Sequence, residues 1–257
     1  MKYPLLYSMV ALLGLFLSCH AGQPETSFSD GTGGLNLQSA SDTEIKIPVI
    51  YTRSDEVSFD LDPEAFPIAI YRESETTPVK DYPSFADLKA EGMPLVLPVG
   101  TYTVKACSFK PVEKVSSEPY FEGIADRVVI EEKTVTNTKI TCSFKSLGVE
   151  LKLSDAFSGL LDQYPENYDY TVKVSNGVAT WTFDKTQMKP GFFLEGCDKL
   201  VVKVIVRMNG LTYPERTWYF TKNGTDSGEA PGLNEYYVIR LDAKKNEQKM
   251  LSCELYK

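Results

Sequence analysis

Cys19 and His20 stand side by side directly behind an apolar run, and the chain holds no other histidine. A thiol beside an imidazole is the smallest kit for a nucleophile with its base, or for two ligands of a metal. With the single His spent there, Ser-His-Asp and Cys-His arrangements cannot be assembled elsewhere in the chain. Carboxylates offer a second route. Asp60, Asp62 and Glu64 in FDLDPEAF imitate the start of a calcium loop, but Ala65 stands where that loop needs Gly and Tyr71 where it needs a bidentate Glu. Asp60 and Asp62 read instead as the outward side of a strand that buries Phe59 and Leu61. Aromatics are the remaining route, since flat rings dock sugars and peptides. Tyr120 and Phe121, after the polar, Pro-flanked loop in SSEPYFEGI, are the candidate ligand or interface aromatics. Trp181 and Trp218 alternate within strand patterns and read as core. The sequence therefore predicts no catalytic residues, no metal site and no cofactor.

The use of Cys19 follows from what precedes it. Lys2 and the run PLLYSMVALLGLFLS make residues 1–18 a signal peptide, the run being too short to stay in a bilayer comfortably as a helix. Leu15-Phe16-Leu17-Ser18-Cys19 is similar to the bacterial lipobox, in which a small residue precedes a cysteine that is acylated and becomes the new N-terminus. Phe16 stands where that motif usually has Leu. Each buried methylene of an acyl chain contributes about 0.8 kcal/mol, so several chains hold a domain on a membrane almost irreversibly. Cys19 is thus the expected lipidation site and the membrane the expected partner. The stretch HAGQPETSFSDGTGG has no apolar periodicity, so residues 19–34 are expected to be a flexible tether that carries His20 beside the lipid.

A formal net charge of −8 and the lack of a basic cluster exclude nucleic acid as a partner, because phosphates demand a cationic face. Cys107, Cys142, Cys197 and Cys253 show no CxxC spacing, which argues against a zinc knuckle. Cys142 shares the phase of Ile140 and Phe144, and Cys253 that of Leu251 and Leu255. That phase favours free buried thiols over bridges, although an exported chain would permit three pairings.

The elements that must carry these residues are strands. Period-two alternation places Ile45, Ile47, Val49 and Tyr51 on one side of TEIKIPVIY, and Val57, Phe59 and Leu61 on one side of EVSFDLD. It recurs in AFPIAIY, DRVVIEE, TNTKITCSF, LGVELKLSDAF, EYYVIRLDA and MLSCELY. PLVLPVGTYTVKACSF reads as strand, Pro-Val-Gly turn, strand, with Tyr102, Val104 and Ala106 inward. Ser175-Asn176-Gly177 and Asn209-Gly210 are hairpin signals, because Asn-Gly tolerates the positive φ of a tight primed turn. Two short helices are predicted. One is capped by Ser84 and ends at Gly92; the other is capped by Ser154, carries Phe157, Leu160, Leu161 and Tyr164 on one stripe, and stops at Pro165. The fold class is all-β: two consecutive Ig-like β-sandwiches joined by these helices, over residues 35–145 and 146–257.

The order GGLNLQ, FPIAIY, SFADLKA, LVLPVGTYTVKA, EPYFEG and CSFKSLGVELKLSDAF resembles an uncharacterised Bacteroidales lipoprotein family that bears a domain-of-unknown-function name. It is similar to the fimbrillin-like group that includes the FimA and Mfa pilus proteins. The likeness covers nearly the whole mature chain and is sharpest from Leu97 to Ala106 and from Pro119 to Gly123. It implies two fimbrillin-like β-sandwiches and a lipid anchor in the outer membrane, facing the cell surface or the periplasm. It implies a non-enzymatic role in adhesion or as a pilus-like subunit, anchor or tip, with other subunits as partners. Pilus-forming relatives are trimmed by an Arg-specific protease, which frees a groove that a neighbour fills with a donated strand. Arg53 is the position that could serve here. The alternative is a surface lipoprotein that binds glycans for a nutrient-uptake system.

Overall fold

A computed structural model describes residues 27–38, 57, 59–243 and 251–256 of the chain. Cys19, His20, Arg53 and the strand candidate of residues 43–51 lie outside the described residues. The first half holds β1 (Thr32–Gln38), β2 (Ile68–Arg72), β3 (Lys80–Tyr82), α1 (Phe85–Glu91), β4 (Leu95–Pro98), β5 (Gly100–Cys107), β6 (Val115–Ser116), β7 (Phe121–Ile130), β8 (Val135–Lys139) and β9 (Ser143–Phe144). The second holds β10 (Leu147–Leu153), α2 (Asp155–Leu161), β11 (Tyr168–Ser175), β12 (Thr180–Phe183), β13 (Gly191–Phe193), β14 (Leu200–Met208), β15 (Leu211–Thr212), β16 (Arg216–Phe220), β17 (Glu235–Ala243) and β18 (Leu251–Tyr256).

The protein is all-β, built as two sandwiches. In the first, sheet β4-β1-β8 faces sheet β3-β2-β5-β7-β9. Alternation decides what meets between them: Leu35, Leu37, Leu95 and Leu97 from one sheet pack with Ile68, Ile70, Tyr102, Val104, Ala106 and Ile130 from the other. In the second, sheet β18-β17-β10-β13-β6 faces the sheet of β12, β11 and β14, with β15 and β16 both paired to β14. Val172, Val174, Val202, Val204 and Val206 fill that core together with Val149, Leu151, Tyr237 and Ile239. Both helices start where the caps predict, Ser84 accepting from the Asp87 amide and Ser154 from the Phe157 amide, but the second ends at Leu161, short of Pro165, and leaves Tyr164 outside it.

The two halves share material. The short strand β6 comes from the first half yet extends the second half's sheet, pairing with β13 through Phe192↔Ser116 and Phe193↔Val115. Likewise β17 sends Tyr237 and Ile239 into the second core and Tyr236 and Val238 into the first. The division between residues 145 and 146 therefore separates sequence segments but cuts through a common seam.

Several expectations are corrected. Residues 32–34 are not tether but strand: β1 is the central strand of its sheet, antiparallel to β4 and parallel to β8. Its Gly33 and Gly34 are there for closeness. A Cβ on Gly33 would lie 2.1 Å from the Glu131 carbonyl oxygen, and one on Gly34 would lie 2.6 Å from Cζ of Phe28. The preceding residues are clasped by the turn between β7 and β8: Asp30 pairs with Lys133 at 2.6 Å, and the Gly31 amide donates to Glu132 at 2.9 Å.

Residues 59–62 form no strand. Val57, Phe59 and Leu61 pack on the first core, but the chain runs into a single 3-10 turn at Pro63–Ala65, where Asp62 accepts from the Glu64 amide. Pro63 has no amide to donate to a ladder, which stops pairing there. The Pro-Val-Gly segment joins the two expected strands, and it does so by crossing between layers, since β4 and β5 belong to different sheets. TNTKITCSF splits for the same reason: β8 and β9 belong to opposite sheets, while Ile140, Cys142 and Phe144 all stay buried.

Candidate functional site

The two aromatics singled out in the sequence separate in the structure. Phe121, the first residue of β7, is fully buried, so the reading of it as an exposed docking ring is corrected. Its ring sits 5.5 Å from that of Phe144 and 6.0 Å from that of Phe59. The sequence pattern placed this strand at DRVVIEE, from Asp126, whereas β7 begins five residues earlier, at Phe121, which brings its ring into the core.

Tyr120 remains half-buried just outside, with its ring edge-on to Phe109 at 5.4 Å. Its amide donates to Ser146 Oγ at 2.9 Å, and its carbonyl accepts from the Lys145 amide at 2.8 Å. Its hydroxyl donates to Glu122 at 3.2 Å; burial and then the Glu122 charge raise the phenol's pKa, so it stays a neutral donor. Ser108 braces the same corner, donating to the Pro119 carbonyl and accepting from the Phe121 amide, both at 3.0 Å. Tyr120 is thus locked from three sides.

Beside this corner lies a cleft of about 450 Å³, walled by Phe59, Phe66 and Phe109 and rimmed by Asp60, Asp62 and Glu118. Phe59 is its pivot. Besides Phe121, its ring touches Phe144 at 5.7 Å, Phe192 at 5.6 Å and Tyr236 at 6.1 Å, the last two being residues of the second half. Sequence alternation marked Phe59 as apolar but gave no hint that it plugs the seam, because its partners are more than sixty residues away.

Chemically the corner supports docking by aromatic and polar contact. The described thiols are poor nucleophiles: burial pushes Cys142 and Cys253 up to about 12 and Cys197 up to about 11, and it raises Cys107 as well. All four are free. Among the described residues no group of three or more His, Cys, Asp or Glu side chains is placed to hold a metal ion. No helix among them is long and apolar enough to cross a membrane.

The sequence profile of a family described as "Domain of unknown function (DUF4493)" matches residues 31–249. No curated protein matches the chain. Solved structures that it is similar to include a candidate cell adhesion protein from Bacteroides uniformis, at 12% identity and TM-score 0.46, over 88% of this chain and 98% of that one. A fimbrial assembly protein from Parabacteroides distasonis is similar at 11% identity and TM-score 0.41, over 88% and 95%. The fimbrial anchor protein Mfa2 from Porphyromonas gingivalis is similar at 13% identity and TM-score 0.35, over 86% and 93%.

Proposed function

The chain belongs to the DUF4493 family, and from that premise we propose that it is a non-enzymatic lipoprotein of the outer membrane. Lipidated at Cys19, it acts by contact at the cell surface, in adhesion or as a subunit, anchor or tip of a pilus-like fibre. That reading brings to this chain the roles named for the adhesion, assembly and anchor proteins above. The observation that carries it is the position of β1. Thirteen residues after Cys19 in sequence, at Thr32, the chain is already in β1, the central strand between β4 and β8. A pull on the anchor is then resisted by two hydrogen-bonded ladders loaded along their length, together with the buried Leu35 and Leu37. A body held this way suits a surface that bears load.

The same placement bears on polymerisation. Cleavage after Arg53 would remove β1 from between β4 and β8 and leave a slot one strand wide, with its backbone groups unpaired. A neighbouring subunit's strand would fill it. The aromatic cleft beside Tyr120 supports the second reading, a glycan-binding lipoprotein of a nutrient-uptake system.

The test is fractionation of cells that express the wild type and Cys19→Ala, with metabolic palmitate labelling and surface proteolysis. The anchored account expects label and membrane retention in the wild type only. Retention of Cys19→Ala in the membrane fraction would contradict it. Loss of residues up to 53 with a detergent-resistant ladder selects the fibre, and a full-length lipidated monomer selects glycan binding.

A further inference from the structure

The outer face of the second sandwich carries an arrangement that its stability does not explain. Lys173 of β11 and Lys203 of β14 are direct cross-strand partners, and Thr182 of β12 and Thr217 of β16 complete their row. Like charges placed directly opposite each other weaken a sheet. Among the described residues Lys203 pairs only with Glu215, 3.7 Å away with both side chains about half exposed, and such pairs contribute little. Lys173 has no ion-pair partner among the described residues. One row along, Tyr219 of β16 is the partner of Val201 and is 52% exposed on the same face. This cationic row sits on a chain whose formal charge is −8.

We infer that this face binds an anionic polysaccharide, one that carries carboxylates or sulfates. The lysine pair takes the anionic groups, Thr182 and Thr217 supply hydroxyls at its ends, and the Tyr219 ring takes the apolar side of a sugar. Charge complementarity selects an anion, since a bound anion relieves the Lys173–Lys203 repulsion. The exposed ring selects a sugar over an acidic protein, because aromatic rings stack on pyranose faces whereas carboxylate side chains leave the ring unused. Four strands spaced about 4.8 Å apart give a platform about 14 Å wide, enough for several sugar units of a chain ligand. The inference deepens the proposed contact function and rests on it only for where the ligand is met; binding itself is independent of the anchor.

The test is affinity electrophoresis of the full chain carrying Cys19→Ala, through gels with polygalacturonate, dextran sulfate or neutral dextran. The expected result is retardation by at least one polyanion and none by dextran, with the two polyanion gels telling carboxylate from sulfate. Binding should weaken about tenfold or more in Lys173→Gln/Lys203→Gln and fall with added salt. Tyr219→Ala should weaken it as well, and Lys110→Ala in the first sandwich should not. Melting curves check that each variant folds, and the lysine double variant, confined to exposed side chains, carries the test if Tyr219→Ala does not. No retardation by either polyanion, or retardation that the lysine variant leaves intact, would overturn the inference. So would loss of self-association, read by gel filtration, in place of loss of polysaccharide binding. Failure of the anchor reading is scored separately, by membrane fractionation of the wild type.

Discussion

Tyr236 lies against Gly148, its direct neighbour across the parallel β10–β17 pair, so closely that a Cβ on residue 148 would come within 2.3 Å of Cδ2. On the other side of the same strands, Val149 and Tyr237 belong to the second core. One pair of strands therefore serves both cores, and the Phe59 plug closes the seam from the first half.

Gly148→Ala should destabilise the protein by about 1–3 kcal/mol, because neither the ring nor the strand can retreat without opening a buried layer. Calorimetry checks this. The wild type should melt in one transition, and the variant should melt lower and separate into two. Two well-resolved transitions in the wild type would show that the seam does not couple the halves.

Gly33→Ala tests the seating of β1. The atom it would strike is the Glu131 carbonyl oxygen, part of the backbone turn that also holds Asp30 and Gly31. Phe28→Ala removes only the ring over Gly34. The expected order is a loss of about 2 kcal/mol or more for Gly33→Ala and about 1 kcal/mol for Phe28→Ala. Limited proteolysis read by mass spectrometry should show faster cleavage near residues 27–34 in both variants.

Alkaline pH should unfold the protein through its thiols. Folded-state values pushed above the ordinary 9.0 mean that the fold favours the protonated thiol. That stabilisation is fully present below the unfolded value and is lost as pH rises toward the folded values of about 11 to 12. The melting temperature should hold steady to about pH 8 and fall between about pH 9 and 12. Thiol labelling at pH 8 should be slow for Cys142 and Cys253 until denaturant is added, and prompt labelling of both in the native state would contradict their burial.

The two Asn-Gly hairpins show how far local sequence reaches. At Asn209-Gly210 both residues adopt positive φ, 50° and 76°, and the turn is the tight two-residue kind that the pair predicts. At Asn176-Gly177 only the glycine does. Ser175 pairs with Thr180, leaving a four-residue loop in which the buried Asn176 side chain accepts from the Val178 and Ala179 amides and donates to the Glu195 carbonyl. Asn176→Ala should therefore cost about 1–3 kcal/mol and Asn209→Ala about 1 kcal/mol or less, compared by denaturant unfolding.

What the sequence made legible was periodicity. Alternation placed Tyr102, Val104 and Ala106 inward, and capping chemistry placed the start of both helices. What it concealed depends on partners distant in the chain. Gly33 and Gly34 look like linker residues until the Glu131 carbonyl and the Phe28 ring are brought against them. Phe121 and Phe59 look alike in pattern, yet one is buried within a strand and the other is a plug between halves. The pairing of β6 with β13 joins residues about eighty positions apart and carries no local signature at all. The lysine row is invisible for the same reason, because only register brings Lys173 beside Lys203.

The most direct test of the central claim is the intact mass and N-terminal sequence of the protein purified from cell envelopes. The account predicts a chain that starts at an acylated Cys19, or a product trimmed after Arg53 from an acylated precursor. A mature chain that keeps residues 1–18, or that begins at an unmodified Cys19, would contradict it.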